Sequence, residues 1–385
     1  MAQGSNRVSV PCGAPVPHRV TVPCGAPVPY RLWGMRIAHA RDRHAPAGTP
    51  WRLVAALGPG AAKAPVPSNW LDLEITRRRL VARDPNREHN AVLFRQPITS
   101  LDDHLARGLR VEALAELIDG PASTNGSASD DDAVLSADDL RFGPPILRPP
   151  AFRDFYAFEQ HVGTMWKRRG GEIPENWYRL PVFYFSNTSE IRGPGDPVWA
   201  PRDSVELDLE LEVGALVDTP AFNLRDERAE EAIGGYFVLN DWSARDLQRD
   251  EMPVRMGPAK GKDFATSIGP WLVTGDELDD RRVPGASGPD LAMTAHVTAP
   301  DGTVTQISDG RWSSARYSFG QMLARASADV HVRPGEFLGS GTVGTGCLLE
   351  VKDTTLGRWL QPGDRVTLSI ERLGSLTSTI VDRPA

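Results

Sequence analysis

Residues 234–248 read GGYFVLNDWSARDLQ. The run from Tyr236 to Leu239 has the apolar character of a short buried strand. It stops at Asn240-Asp241 and changes at once into a polar segment with helical spacing. Asp241 can cap a helix that begins there. On such a helix Asp241, Arg245 and Gln248 fall at i, i+4 and i+7, along one face. Two readings stay open at this point. One is a helix cap with a local Asp–Arg pair; the other is a polar constellation placed at the end of a strand.

A second stretch bears on the choice. In VELDLELEV, residues 205–213, Val205, Leu207, Leu209, Leu211 and Val213 alternate with Glu206, Asp208, Glu210 and Glu212. Side chains at i and i+2 of a strand share a face, roughly 6–7 Å apart. One face is therefore core, and the other carries four carboxylates. A solvated sheet face is the ordinary explanation. Yet like charges stacked along one face repel, and Glu and Asp are poor strand formers. A bound cation would remove the repulsion. Hard divalent ions such as Mg²⁺ or Ca²⁺ take oxygen ligands. Two strand glutamates can offer two ligands, Asp241 a third and Asp154, in RDFYAFEQH, a fourth. No His or Cys cluster has zinc spacing. Spacing alone does not show that these groups meet.

Composition narrows the function class. The chain has 385 residues, 40% hydrophobic and 24% charged, as in ordinary globular proteins. A net charge of -7 gives no footing for nucleic acid or an anionic membrane. Three cysteines without a CxxC do not make a disulfide framework, and a cytoplasmic location fits. No apolar run is long enough to span a bilayer, and the first residues lack a secretory apolar core.

Four regions follow. RVSVPCGAPVPHR and RVTVPCGAPVPYR share Arg19 and form a tandem repeat within residues 1–34. Two copies cannot build a solenoid, so this region is expected to be a disordered extension, with the natural start at Met35. Residues 35–118 read as a small N-terminal β-containing domain. RIAHA, WRLVAAL and WLDLEITRRRLV are its strand candidates, and SLDDHLARGLRVEALAELIDG is helical from a Ser100 cap to Gly120. Residues 119–140, small and acidic, read as a flexible linker. Residues 141–385 are strand-rich. AMTAHVTAPDGTVTQIS reads as a hairpin around Asp301-Gly302, and CLLEVKD and RVTLSIERLG continue the strands. Helices are expected at FRDFYAFEQHVGTMWKRRG, WSARDLQRDE and SFGQMLARASA.

RDFYAFEQH, NWYRLPVFY, LDLELEVG, NDWSARDLQ, GKDFATSIGPWLV and LGSGTVG occur in this order. From Phe152 to the C-terminus the chain resembles the fumarylacetoacetate hydrolase family. The resemblance implies a β-rich α+β fold, in which a mixed β-roll catalytic domain follows a small N-terminal domain. It implies Asp154, Glu210, Glu212 and Asp241 as metal ligands for Mg²⁺, or Mn²⁺ or Ca²⁺, with Lys262 and Thr266 near the metal or its water shell. It makes Arg245 and Gln248 substrate-facing. A lone histidine is ordinarily a surface or core residue, but His161 matches the family's general base and Glu350 its orienting partner. Tyr156, Tyr184, Thr342 and, less closely, Arg169 match substrate contacts.

GSGTVG, residues 339–344, satisfies GxGxxG. The following TGCLLEVKD reads as a strand, so no helix end receives a pyrophosphate. Other features depart from the fumarylacetoacetate enzyme. FSNTSEIRGPGDPVW is nearer to shorter members that act on other 2-oxo acids. The H-x-x-E dyad of the shorter decarboxylases and tautomerases is absent, because Thr164 stands three residues after His161.

The expected activity is metal-dependent hydrolysis of a carbon–carbon bond in a small 1,3-dicarbonyl acid, acylpyruvate-like or fumarylacetoacetate-like. His161 activates water against a metal-held substrate, and Lys262, Gln248 and Arg245 steady oxyanions. Decarboxylase, hydratase or isomerase chemistry on a 2-oxo acid is the alternative within the family. A non-catalytic, metal-stabilised binding protein is the alternative outside enzymes. Glycoside hydrolysis is disfavoured, because Glu210 and Glu212 share a strand face rather than flanking a sugar bond. A homodimer is the family expectation.

Overall fold

Strand β12 (Ile233–Asp241) contains the apolar run of the opening stretch, and both of its faces are buried. Tyr236 and Val238 join one apolar cluster, while Phe237 and Leu239 join another on the opposite side. Period-2 alternation between two apolar layers explains why the run is continuous rather than half polar. The computed structural model describes residues 34–57, 66–118 and 132–384. The repeat, Cys12, Cys24 and most of the 119–140 segment lie outside the described residues.

In chain order the strands are β1 (Arg36–Asp42), β2 (Arg52–Ala56), β3 (Asn69–Asp72), β4 (Val134–Ser136), β5 (Leu140–Phe142), β6 (Phe152–Phe155) and β7 (Phe183–Ser186). Next come β8 (Ile191–Arg192), β9 (Pro197–Val198), β10 (Leu207–Asp208), β11 (Leu211–Val217), β12, β13 (Ser243–Ala244) and β14 (Thr266–Val273). The last are β15 (Ala292–Thr298), β16 (Val304–Arg311), β17 (Phe337–Gly339), β18 (Arg365–Ile370) and β19 (Gly374–Ile380).

A 12-stranded sheet runs β4-β3-β2-β1-β14-β12-β11-β17-β6-β7, with β5 on β1 and β8 on β14. A 5-stranded sheet runs β16-β15-β18-β19-β9. Antiparallel pairs dominate, but β17 with β6, β14 with β8 and β19 with β9 are parallel. The fold is thus a mixed, strand-rich α+β architecture. Val213, Val238 and Trp271 of the large sheet share a core with Met293 and Leu368 of the smaller one. On the other face Phe237, Leu239, Phe152 and Phe337 pack with Leu73, Phe94 and Leu101 from the N-terminal helices. No helix among the described residues is long and apolar enough to cross a membrane.

The N-terminal strands extend the large sheet, since β1 pairs directly with β14. The latter part of the segment read as a linker is also sheet: β4 pairs with β3 and β5 with β1. The acidic composition hid β4 there, and β5 begins at the segment's last residue, Leu140.

Several elements differ from the sequence reading. Residues LEITRRRLV form a helix, Leu73–Arg83, whose cap Asp72 accepts hydrogen bonds from Glu74 and Ile75. That cap stops the strand and starts the helix. Phe152–Phe155 is a strand, and the helix expected there covers only Glu159–Arg168. CLLEV is not a strand either: Leu348–Val351 is a helical turn. Asp241 is no helix cap. It is the last residue of β12, and the helix begins at Arg245, with Ala244 as cap. Residues 205–213 do not make one strand but break at Leu209-Glu210 between β10 and β11. Other expectations hold. The β15–β16 hairpin closes around Asp301-Gly302, and a capping box at Ser318 opens Phe319–Ala326. Ser100 caps its helix, but that helix covers only Leu101–Ala106, with short helical turns at Val111–Leu114 and Ala115–Ile118 after it.

Candidate active site

Three neighbouring stretches of the large sheet bring carboxylates together. Asp154 stands on β6, Glu212 on β11 and Asp241 at the end of β12. One ligand oxygen from each lies within 4.8 Å of the others. Strand β17 lies between β11 and β6, and its Gly339 pairs with both Gly214 and Asp154. A Cβ on Gly339 would stand 2.3 Å from Asp154 Oδ1 and 3.0 Å from Glu212 Oε2. The bare backbone is therefore what lets the two carboxylates meet. At Gly341 φ is 76°, and its N–H turns to donate to Glu212 Oε2 at 3.0 Å. Thr342 Oγ1 donates to Glu212 Oε1 at 3.4 Å. The glycines of GSGTVG thus cradle a carboxylate rather than a pyrophosphate.

The alternating face of residues 206–212 is not solvated. Asp208, Glu210 and Glu212 are all buried. Burial, reinforced by the neighbouring carboxylates, holds Asp154 and Glu212 well above the ordinary carboxylate range. Asp241 is raised by burial too, although Lys262 opposes it. Burial also acts upward on Glu210, but Lys262 and Arg245 outweigh it and keep this carboxylate below its usual value. The Lys262 ammonium, from the short helix Ala259–Lys262, contacts Glu210 Oε2 and lies 2.5 Å from Asp241 Oδ2. Tyr184 donates to the same Asp241 oxygen at 2.5 Å.

Asp154 Oδ1 and Asp241 Oδ1 are buried without a hydrogen-bond partner. Buried carboxylate oxygens ordinarily have partners. Two orphaned oxygens aimed into a cluster of buried acids are what a hard divalent cation satisfies. Asp154, Glu212 and Asp241 fit such an ion, whereas both oxygens of Glu210, expected as a fourth ligand, are taken by Arg245 and Lys262. The all-oxygen donor set disfavours a thiophilic ion.

His161 and Glu350 approach from elsewhere. His161 lies on the helix Glu159–Arg168 and Glu350 on the turn Leu348–Val351. His161 Nδ1 is 2.5 Å from Glu350 Oε1, with side chains only 5% and 3% exposed. Glu350 Oε2 accepts from the Thr345 N–H at 3.1 Å. This arrangement occupies Nδ1 and leaves Nε2 as the available ring nitrogen. Tyr156 meets the His161 ring edge-on, with centroids 5.4 Å apart.

Asp154, Glu210, Glu212 and His161 line one cavity of about 850 Å³ together with Tyr156, Arg169, Tyr184, Gln248 and Thr342, while Asp241 and Glu350 are not part of its wall. Arg245, expected to face substrate, is committed to neighbouring side chains. Arg245 is buried and clamped: Nε donates to Asp208 Oδ2 at 2.8 Å, Nη2 to Glu210 Oε1 at 2.7 Å and Nη1 to Gln248 Oε1 at 3.0 Å. Thr266 pairs with Asp241 in register but is not part of the cavity wall.

Asp208, expected to be an ordinary strand-face residue or a hydrogen-bonding neighbour, is a hub. Besides Arg245 it accepts the N–H groups of Leu348 at 2.7 Å and Leu349 at 2.9 Å. It therefore joins the arm of Glu210 to the turn that carries Glu350. Its place in the LDLELE alternation was the only signal, and that pattern does not separate Asp208 from Glu206.

Residues 151–381 match the family model described as fumarylacetoacetate (FAA) hydrolase C-terminal. The fumarylacetoacetase of Emericella nidulans is 30% identical over 234 residues, covering 50% of this chain and 54% of that protein. The fumarylacetoacetase of Arabidopsis thaliana is 31% identical over 271 residues, covering 57% and 64%. The match thus spans between about half and just under two thirds of the length of these relatives. Among solved structures, a fumarylacetoacetate hydrolase from Exiguobacterium antarcticum superposes with a TM-score of 0.62 at 21% identity, covering 91% of this chain and 100% of that one. A putative HpcE protein from Mycobacterium smegmatis gives the same TM-score, identity and coverage. The matched residues hold every carboxylate of the cluster, His161 and Glu350, and the chain belongs to the fumarylacetoacetate hydrolase family.

Proposed function

We propose that the protein hydrolyses a carbon–carbon bond in a small 1,3-dicarbonyl acid, acylpyruvate-like or fumarylacetoacetate-like, with a divalent cation, Mg²⁺ first and Mn²⁺ or Ca²⁺ next. The observation that carries this reading is the pairing of two machineries in one cavity: a histidine–carboxylate dyad and a cluster of buried acids with two orphaned oxygens. Asp154, Glu212 and Asp241 would hold the cation, which supplies a Lewis acid for substrate oxygens. His161 Nε2 takes a proton from water, and Glu350 holds the ring and stabilises its charged form. The hydroxyl adds to the carbonyl carbon, the adjacent carbon–carbon bond breaks, and the proton returns to the departing carbon. Lys262 is positioned to steady negative charge beside Asp241, and Gln248 presents its amide from the wall. Arg169, Tyr156 and Thr342 line the space left for the acid's remaining groups. Tyr184, with its hydroxyl committed to Asp241, orients that carboxylate. The same reading carries a cytoplasmic homodimer that acts on small acids.

The dyad favours hydrolysis over decarboxylation, because its glutamate comes from a turn far along the chain rather than from the helix of His161. Acylpyruvates and fumarylacetoacetate, incubated with metal-free protein and then with added Mg²⁺ or Mn²⁺, test it. Metal-dependent loss of the enol absorbance with two acid products by mass spectrometry is the expected result. A single product of unchanged mass, or one lacking only carbon dioxide, would overturn hydrolysis. Intact substrate beside metal-loaded protein would point to a binding protein.

A further inference from the structure

A second group of ligand-bearing side chains includes the dyad itself. His161, Cys347 and Glu350 each offer one donor atom, and these atoms lie within 4.8 Å of one another. Glu350 Oε1 is shared: His161 Nδ1 lies 2.5 Å away, and Cys347 Sγ points to the same oxygen at 3.7 Å. Donors around a tetrahedral zinc ion, with bonds of about 2.0–2.3 Å, are roughly 3.5 Å apart. The observed separations bracket that spacing, so small side-chain movements would open a pocket for the ion. Cys347 and Glu350 are three residues apart on one turn, and Asp208 pins that turn through the Leu348 and Leu349 N–H groups. His161 forms part of the cavity wall, which supplies an entry path.

The donor chemistry differs from that of the carboxylate cluster. Nitrogen, thiolate and carboxylate suit zinc-like ions, whereas Mg²⁺ takes oxygen. We propose that His161, Cys347 and Glu350 form a second metal site, selective for zinc-like ions, and that filling it switches the catalytic dyad off. The switching half rests on the hydrolase reading above. On binding, the Cys347 thiol gives its proton to solvent and Sγ bonds the ion. His161 binds through the Nδ1 lone pair, so its single ring proton moves to Nε2. A ring protonated at Nε2 cannot accept a proton from water. Burial pushes the Cys347 thiol well above its ordinary value, so without an ion it stays a neutral, inert packing group.

Cobalt(II) added to the full-length chain, with Mg²⁺ saturating, reads the site without any substrate. A thiolate-to-cobalt charge-transfer band is expected at one equivalent. It should persist in the Cys12→Ser/Cys24→Ser variant and vanish in Cys347→Ser. Zn²⁺ should displace the band. Its affinity should weaken roughly a hundredfold or more in Cys347→Ser and comparably in His161→Ala, since even partners outside the ligand shell are worth 10–100-fold. No band in the wild type, or a band that survives Cys347→Ser, overturns the site. Zn²⁺ that halts dicarbonyl turnover in wild type, but not at the same concentration in Cys347→Ser, supports the switch; equal inhibition overturns it. A band without turnover of any dicarbonyl acid would sink the hydrolase reading while the site stands.

Discussion

Asp208 is fully buried and accepts from an ionised guanidinium and from two backbone N–H groups that precede Glu350. Burial alone would raise its pKa, and the same burial makes the Arg245 charge expensive to leave without its partner. Asp208→Ala removes every one of these acceptors at once. A loss on the order of 3 kcal/mol is expected, because Arg245 keeps only Glu210 as a charged partner and the Leu348 and Leu349 N–H groups lose their acceptor. Urea unfolding reads that loss, and a change below about 0.5 kcal/mol would refute the hub. In the sequence Asp208 is one of four acids in an alternating row, yet Glu206 is half-buried and pairs with Arg249, while Asp208 is sealed. Alternation assigns a face but not a depth. The break at Leu209-Glu210, which sets the depth, leaves no mark in the pattern.

The strands carry the site through a missing side chain. Gly339 lies between the strands of Asp154 and Glu212, and any Cβ there would press on Asp154 Oδ1. Gly339→Ala should therefore part the carboxylates while leaving the sheet hydrogen bonds in place. Titration calorimetry with Mn²⁺ is expected to show affinity reduced by about tenfold to a hundredfold, the range set by disturbed ligand orientation. Unchanged affinity would mean that the gap is filled in another way. At this scale the sequence was partly legible. The apolar run of β12 and the hairpin of β15 and β16 follow from periodicity. The helix Leu73–Arg83 reads as a strand because Leu71, Leu73 and Ile75 alternate, and the decisive signal is the Asp72 cap. The turn Leu348–Val351 was misread because four residues are too few to show a period. Nothing local joins His161 to Glu350; only the family resemblance paired them.

Over the whole molecule, the buried acids couple metal, protons and stability. Asp154, Glu212 and Asp241 are raised in the folded state, by burial first, and Glu210 alone is lowered. A carboxylate raised on folding keeps its proton when the unfolded chain has lost it. Above the ordinary carboxylate range near pH 4 the metal-free native state then binds more protons than the unfolded one, so its stability falls as pH rises. A cation bound to the same oxygens replaces those protons, and its affinity grows with pH as the competition fades. The gap between loaded and metal-free protein should thus widen from pH 5 to pH 8. At a free ion concentration a hundred times Kd the ion adds about 2.7 kcal/mol. Thermal unfolding with Mg²⁺ and with chelator, at each pH, measures the gap directly. A gap that is constant with pH would mean that these carboxylates are already ionised without the metal. Lys262, bridging Glu210 and Asp241, and Arg245 on Glu210 would then be enough to keep the four carboxylates ionised.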